Sequence, residues 1–126
     1  MTEFTVHLAN RPGMLAMLTE QIASAGVNIE ALAAYGVGEE GRVHLMAGDA
    51  AAVRSVLRRA GLSFKERQVL VTTLSHRPGS VAAMARSLAD AGVNIEAVYL
   101  LRCSAEGMEF AIAVDDPALA RRHVAP

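Results

Sequence analysis

A repeat within the chain limits its possible folds more than any other feature of the sequence. The segment Asn-Arg-Pro-Gly-Met-Leu at 10–15 returns in altered form at 76–81, and Ala-Gly-Val-Asn-Ile-Glu at 25–30 returns unchanged at 91–96. Both segments recur after 66 residues, from 10 to 76 and from 25 to 91. Because two separate blocks keep one spacing, chance similarity does not explain them, and the chain is a tandem of two like modules.

The two modules are expected at residues 1–68 and 69–126. A domain of about 60 residues buries only about 60% of the surface that its unfolded chain exposes, so its stability is marginal. We therefore expect each module to dock on the other or on a partner.

Hydrophobic periodicity predicts the elements of the first module. Phe4, Val6 and Leu8 alternate with other residues, which is typical of a half-buried strand. Apolar residues then recur every three or four positions over 13–25, which predicts a helix that Gly26 ends. The remaining elements are two strands forming a hairpin, a helix and a fourth strand, at 27–35, 43–47, 49–60 and 62–68. This βαββαβ order predicts an α+β, ferredoxin-like module with both helices on one face of an antiparallel sheet.

The second module repeats this order except for its last strand. Its predicted strands and helices lie at 69–75, 79–91, 93–102, 108–114 and 117–124. At the spacing of 66 residues Pro126 aligns with Ala60, so nothing corresponds to the strand at 62–68. Proteins rarely leave a sheet edge open, and we expect a neighbouring strand or a second chain to fill it.

The strand predicted at 93–102 is apolar on both faces. If Ile95, Ala97 and Tyr99 face the helices, then Val98 and Leu100 point to the opposite side. A sheet with two apolar faces requires a cover, which is either the first module or a second chain. Together with the open edge, this face predicts a homodimer with contacts between sheets.

Composition excludes several classes of function. Twelve Lys and Arg against 13 Asp and Glu leave a net charge of −1, and aromatic residues make up 4% of the chain, so phosphate neutralisation and base stacking are not expected. The single cysteine, Cys103, indicates a reducing compartment. No signal peptide or membrane span is visible. We therefore expect a cytoplasmic protein with no nucleic-acid or membrane partner.

The sequence shows no constellation typical of an enzyme. We find no carboxylate pair in a plausible cleft, no nucleophile beside a base and no Walker-type phosphate loop. His7 and His44 can approach each other on neighbouring strands, but no carboxylate or thiol stands at a suitable spacing to complete a metal site. We expect neither catalysis nor a metal or cofactor.

The Arg-Pro-Gly segment predicts a site for a carboxylate. Pro12 fixes its own φ and disfavours the helical region for Arg11, so the chain bends and then enters the helix at once. Gly13, which has no side chain, lets backbone or a ligand approach closely. The first N–H groups of that helix lack partners and carry the positive end of its dipole. Asn28 offers a donor and an acceptor for the polar groups of an amino acid. The alternative is a plain strand-to-helix turn, with Asn28 and Asn94 capping backbone groups.

These motifs closely resemble those of the ACT domain family of small-molecule-binding regulatory modules, and the resemblance covers nearly the whole chain in two copies. It implies that the modules bind amino acids or related effectors. The polar contacts then fall on Asn10 and Asn28, and in the second copy on His76 and Asn94, where His76 departs from the commoner Asn. The implied ligand-binding residues are Asn10, Arg11, Pro12, Gly13, Met14, Leu15, Val27, Asn28 and Ile29, and His76, Arg77, Pro78, Gly79, Ser80, Val81, Val93, Asn94 and Ile95.

The resemblance favours a stand-alone regulatory protein that binds an amino acid and has no catalytic activity. The alternative is a regulatory subunit that docks on an amino-acid biosynthetic enzyme or on a transcription regulator. Some members of the fold bind nothing, and the modules would then be interaction domains.

Overall fold

A computed structural model describes residues 1–124 of the chain, which divides into two compact units after Arg67. The first unit contains the strands β1 (Thr2–Ala9), β2 (Ile29–Val37), β3 (Glu40–Ala47) and, except for its last residue, β4 (Ser63–Gln68), and the helices α1 (Met14–Ser24) and α2 (Ala50–Arg59). Its sheet has the order β2-β3-β1-β4, and β3 is antiparallel to both β1 and β2. The predicted βαββαβ module is confirmed.

The second unit contains the strands β5 (Leu70–Leu74), β6 (Ile95–Ser104) and β7 (Gly107–Val114), and the helices α3 (Ser80–Asp90) and α4 (Pro117–Ala120). Its described residues form a three-stranded antiparallel sheet with the order β5-β7-β6. As predicted, no strand follows α4 within the described residues. The predicted helix 117–124 is shorter than expected, because the N–H groups of Arg122 and His123 donate to carbonyls three residues earlier and close turns instead of helix.

The helix ends follow from local chemistry. Gly13 and Gly79 precede α1 and α3 with φ of 88° and 92°, a left-handed conformation that glycine adopts at little cost. Asp49 begins α2 by accepting a hydrogen bond from the N–H of Ala52 at 3.0 Å. The N–H of Val27 donates to the carbonyl of Ile22, so α1 ends at the predicted glycine in a closed C-terminal turn.

Each unit has its own hydrophobic core between the helices and one face of its sheet. In the first unit the alternating residues of β1 face the helices as predicted, and the buried set is Phe4, Val6, Leu8, Leu18, Ile22, Val43, Leu45, Ala47, Val53, Val56 and Leu57. The core of the second unit is smaller and consists of Leu70, Met84, Leu88, Val93, Ile112, Val114 and Ala120.

The predicted facing of β6 is wrong, because the strand contains a bulge. The pairing with β7 shifts between Ile95 and Ala97, so two residues of β6 lie opposite one residue of β7. Beyond this point the side chains of β6 alternate between the two faces in the opposite phase. Val98 therefore pairs with the core residue Ile112 and lies on the helix side, together with Leu100. Ala97 and Tyr99, which were expected to face the helices, lie on the opposite face.

The same shift occurs in β2 between Ile29 and Ala31. Leu32 pairs with the core residue Leu45 on the helix side, whereas Ala33 and Tyr35 lie on the opposite face beside His44 and Arg42. β6 has a second shift in its pairing with β7, between Leu100 and Arg102, so Leu101 is an extra residue. Beyond Leu101, equivalent residues of the two units are therefore 67 rather than 66 positions apart in the sequence. The two helix caps, Asp49 and Asp116, follow that longer spacing.

Candidate functional site

The loop between β1 and α1 has the predicted tight geometry. The N–H of Arg11 donates to the carbonyl of Ala9 at 3.0 Å, and the N–H of Met14 donates to the carbonyl of Arg11 at 3.4 Å. No side chain caps the N-terminus of α1, and the left-handed Gly13 has open space on the side where a Cβ would project. The first turn of the helix therefore presents backbone N–H groups and the positive end of its dipole to a ligand.

Asn10 joins this loop to the hairpin between β2 and β3. Its Nδ2 donates to the carbonyl of Gly38 at 2.9 Å, and its backbone N–H donates to the carbonyl of Glu39 at 2.9 Å. The side chain lies over Gly36, where a Cβ would stand 2.6 Å from the Asn10 Cγ and 2.7 Å from its Oδ1. Sequence reasoning missed this contact, because a glycine near the end of a strand does not reveal which side chain covers it.

A cavity of about 230 Å³ opens beside this loop, on the helix side of the sheet near the hairpin. Four predicted residues, Asn10, Arg11, Met14 and Leu15, line it. Its other lining residues come from the three neighbouring strands and are Leu8, Ala9, Ala34, Tyr35, Gly36, Gly41, Arg42 and Val43. The cavity combines an apolar wall, the Arg11 residue and the uncapped start of α1, a combination that suits a small carboxylate with an apolar portion.

The structure does not bring Asn28 to this cavity within one module. β1 and β2 are both antiparallel to β3 and hence parallel to each other, so Asn10 after β1 and Asn28 before β2 lie at opposite ends of the sheet. The 11 residues of α1 separate the two positions by about 16 Å. Val27 and Ile29, which accompany Asn28 in sequence, pack against the core of the first unit.

The corresponding loop of the second module has the same backbone path. The N–H of Arg77 donates to the carbonyl of Ser75 at 2.9 Å, and the N–H of Ser80 donates to the carbonyl of Arg77 at 3.3 Å. Beyond the C-terminal end of α3, the backbone N–H of Asn94 donates to the Asp115 carboxylate at 2.9 Å. The N–H of Asp115 donates in turn to the carbonyl of Asn94 at 3.1 Å. As in the first module, the two parts of the predicted site lie at opposite ends of the intervening helix, α3.

A polar cluster on the other face of the first sheet was also not anticipated. Glu3 is 1% exposed and pairs with Arg67, whose Nε and Nη2 lie 2.6 Å and 3.4 Å from its two carboxylate oxygens. The Nδ1 of His44 lies 3.1 Å from the Thr5 hydroxyl and 3.9 Å from Glu3 Oε2. The alternation of β1 and β3 places Glu3 and His44 on this face, but their partner Arg67 comes from a strand 64 residues away from Glu3.

Burial of the His44 ring lowers its pKa below the usual histidine value, and the nearby Glu3 carboxylate acts in the opposite direction. The ring also stacks on Tyr35, with centroids 5.8 Å apart and planes inclined by 24°. His44 is therefore a neutral, packed residue of the sheet at pH 7.

No three His, Cys, Asp or Glu side chains within 1–124 stand close enough together to hold a metal ion. Over the same residues, no helix has the length and apolar character needed to cross a membrane.

Comparison with known families decides to which family the chain belongs. A family model described as an ACT domain pair matches residues 1–124. The chain belongs to the ACT domain pair family. No curated protein sequence matches it.

Solved structures share the fold of this ACT domain pair. Protein BT0572 from Bacteroides thetaiotaomicron superposes with a TM-score of 0.85 at 20% identity, over 94% of this chain and 82% of that one. The ligand-free regulatory subunit of aspartate kinase from Thermus thermophilus gives a TM-score of 0.70 at 17% identity, over 97% and 88% of the two chains. A structure of aspartokinase alpha and beta subunits gives 0.68 at 20% identity, over 96% and 87%.

Proposed function

We propose that this ACT domain pair is a regulatory protein that binds a free amino acid and has no catalytic activity of its own. The observation that carries the proposal is the cavity at the start of α1, which four residues of the predicted site line and which no side-chain cap of the helix closes. The uncapped helix start suits the charged end of an α-amino acid, and the apolar wall of the cavity suits its side chain.

The carboxylate of the ligand is placed on the first N–H groups of α1. The positive end of the helix dipole stabilises an anion there, and the Arg11 side chain on the cavity wall adds a full positive charge. The Oδ1 of Asn10 accepts from the ammonium group, while its Nδ2 keeps the bond to Gly38. Met14, Leu15 and Ala34 provide an apolar wall for the ligand side chain.

Asn28 contributes to this site from a second copy of the chain. β2 is an edge strand of its sheet, and its end lies beside Asn10 through Gly36. If two β2 strands meet antiparallel across a two-fold axis, the beginning of one strand lies beside the end of the other. Asn28 of the second copy then approaches the cavity that its own module cannot reach. The same arrangement relates His76–Val81 to Asn94 in the second module. The proposal therefore includes a homodimer.

A second candidate is a subunit that transmits amino-acid binding to an amino-acid biosynthetic enzyme. Two structures that share the fold, a regulatory subunit of aspartate kinase and the aspartokinase alpha and beta subunits, favour this candidate. Purification from native cells separates the two: a stable heteromeric complex supports the subunit, and a homodimer alone supports the stand-alone regulator.

Isothermal titration calorimetry with each proteinogenic amino acid tests the ligand. At 100 times its dissociation constant, a ligand adds about 2.7 kcal/mol to the free energy of unfolding, so a thermal-shift screen finds it first. If no amino acid binds, the ligand proposal fails and the modules are better described as interaction domains.

Mixed dimers test the contribution of the second copy. Asn28→Ala removes the partner's contact, and Leu15→Glu places a negative charge beside the carboxylate position on a side chain that is 41% exposed, so both chains should fold. Each variant alone should bind poorly, whereas a mixed dimer should regain one intact site. Failure of the mixture to regain binding, despite exchange of subunits, contradicts a site built from two copies.

A further inference from the structure

The two modules differ at the residue that follows the third strand of each. Gly48 comes directly after β3, and Asp115 comes directly after β7. The two residues correspond in the fold, because each directly precedes the aspartate that caps the next helix, Asp49 in the first module and Asp116 in the second. The second module therefore carries a carboxylate at a position where the first module has no side chain.

In the second module this carboxylate contacts a residue of the predicted site. The Oδ1 of Asp115 accepts from the backbone N–H of Asn94 at 2.9 Å, and the N–H of Asp115 donates to the Asn94 carbonyl at 3.1 Å. A backbone N–H is a single donor. The Asn94 N–H is thus engaged within its own module and is not available to a ligand while the Asp115 side chain keeps this position.

The first module leaves the same position open. Among residues 1–124 no hydrogen bond joins Asn28 to Gly48, and the exposed Asn28 has no partner for its backbone N–H. A Cβ on Gly48 would meet one atom within 4 Å, the Oε1 of Glu30 at 3.9 Å. The space beside the Asn28 N–H is therefore free for the acceptor group of a ligand.

The register of the neighbouring strands does not explain this difference. Ile29 pairs with Ala47 in the first module, and Ile95 pairs with Val114 in the second, so the strand ends beside the two asparagines are aligned in the same way. The feature that distinguishes the modules here is the carboxylate side chain after the third strand.

We propose that the Asp115 carboxylate takes the place of a ligand carboxylate in the second module, so that the first module alone binds the amino acid. This inference rests on the proposed function, in which Asn28 of a second copy reaches the ligand. One carboxylate oxygen of the amino acid accepts from the Asn28 N–H there, as Asp115 Oδ1 accepts from Asn94. A ligand at the second module must first displace a charge-assisted hydrogen bond, which weakens its affinity by about tenfold or more.

Introducing the contact into the first module tests the proposal directly. In Gly48→Asp the new carboxylate should accept from the Asn28 N–H and weaken binding of the proteinogenic amino acids, each titrated singly in calorimetry, by about tenfold or more. The side chain fits, because Gly48 is not among the glycines with positive φ. Gly48→Ala, which adds a Cβ without an acceptor, is the matched control and should keep the native affinity. Equal affinities of Gly48→Asp and the native protein overturn the proposal.

Gly48→Asn separates the hydrogen bond from the added charge. Its amide oxygen also accepts from the Asn28 N–H but adds no charge beside Glu30 or the ligand. Binding should therefore be weaker in Gly48→Asn than in Gly48→Ala. If Gly48→Asn binds like Gly48→Ala and only Gly48→Asp is impaired, charge repulsion accounts for the loss and the proposal is overturned.

The reciprocal change should open the second module. Asp115→Gly combined with His76→Asn gives this module both polar contact residues of the first, while Asp116 still caps α4. The calorimetric stoichiometry should then rise from one amino acid per chain to two. His76→Asn alone should leave it at one. A second site in His76→Asn alone, or none in the double variant, overturns the proposal.

NMR of the two asparagine amides distinguishes failure of this proposal from failure of the proposed function. Without ligand, the Asn94 N–H should exchange with solvent more slowly than that of Asn28, and Asp115→Gly should remove the difference. Each proteinogenic amino acid is then added singly to the native protein. If one of them shifts Asn94 at the same concentration as Asn28, the second module is not closed, so this proposal fails and the proposed function stands. If none shifts either amide in the native protein or the double variant, the proposed function fails and this proposal fails with it.

Discussion

Replacing Gly36 by alanine should displace the Asn10 side chain that covers it. In Gly36→Ala the new Cβ would lie 2.6 Å from Asn10 Cγ, far inside normal contact, so the Asn10 side chain must leave its position. It then loses its hydrogen bond to the Gly38 carbonyl, worth about 0.5 to 1.5 kcal/mol. Alanine is favoured over glycine within a strand by about 0.5 to 1 kcal/mol, which partly offsets this loss.

A double-mutant cycle isolates the contact. Asn10→Ala alone should lower the free energy of unfolding by about 1 kcal/mol. Gly36→Ala should be neutral or destabilising in the native protein, yet stabilising by about 0.5 to 1 kcal/mol when Asn10 is already alanine. The coupling between the two changes should therefore equal the lost hydrogen bond, about 0.5 to 1.5 kcal/mol.

Urea unfolding followed by circular dichroism measures all four proteins of the cycle. Gly41→Ala is the matched control, because its Cβ would lie 3.4 Å from the Leu8 carbonyl oxygen, an ordinary contact, and would not strike the Asn10 side chain. It should show little coupling to Asn10→Ala. If Gly36→Ala and Asn10→Ala are additive, Asn10 does not cover Gly36, and the wall of the proposed cavity is not as described.

Three further outcomes are expected. Asn28→Ala should weaken amino-acid binding by about 1.5 to 3 kcal/mol in calorimetry while leaving the circular dichroism spectrum unchanged, because the residue is exposed before β2; unchanged affinity removes Asn28 from the site. The pKa of His44 is lower in the folded state than in the unfolded state, where it is near 6.5, so the free energy of unfolding should decrease as the pH is lowered below about 6.5. His44→Gln should flatten this part of the profile of stability against pH. An unchanged slope contradicts a lowered pKa of His44. Asp49→Ala should lower the free energy of unfolding by about 1 kcal/mol through loss of the α2 cap, and Asp49→Asn, which retains an acceptor, should lower it less.

Helix ends could be predicted because short-range chemistry decides them. The glycines that precede α1 and α3, the aspartates that cap α2 and α4, and Gly26 after α1 act on groups within a few residues of themselves. The predicted bounds of α1, α2 and α3 agree with the structure to within one residue at each end.

The faces of β2 and β6 could not be predicted in the same way. One extra residue at a bulge inverts every side chain that follows, and bulges after Ile29 and Ile95 depend on pairing with strands β3 and β7 farther along the chain. Alternating apolar residues show that a strand has two faces, but not where the alternation changes phase.

The sequence by itself determined that the chain contains two like modules with the βαββαβ type of element order, since repeats and periodicity are written along the chain. Only the tertiary structure decided which of the motif residues meet. Asn10 contacts Gly36 and Gly38 across the hairpin, and Asn28 lies at the far end of α1. The physical reason is that proximity in a sheet is set by strand direction and register, which arise from hydrogen bonds between distant segments.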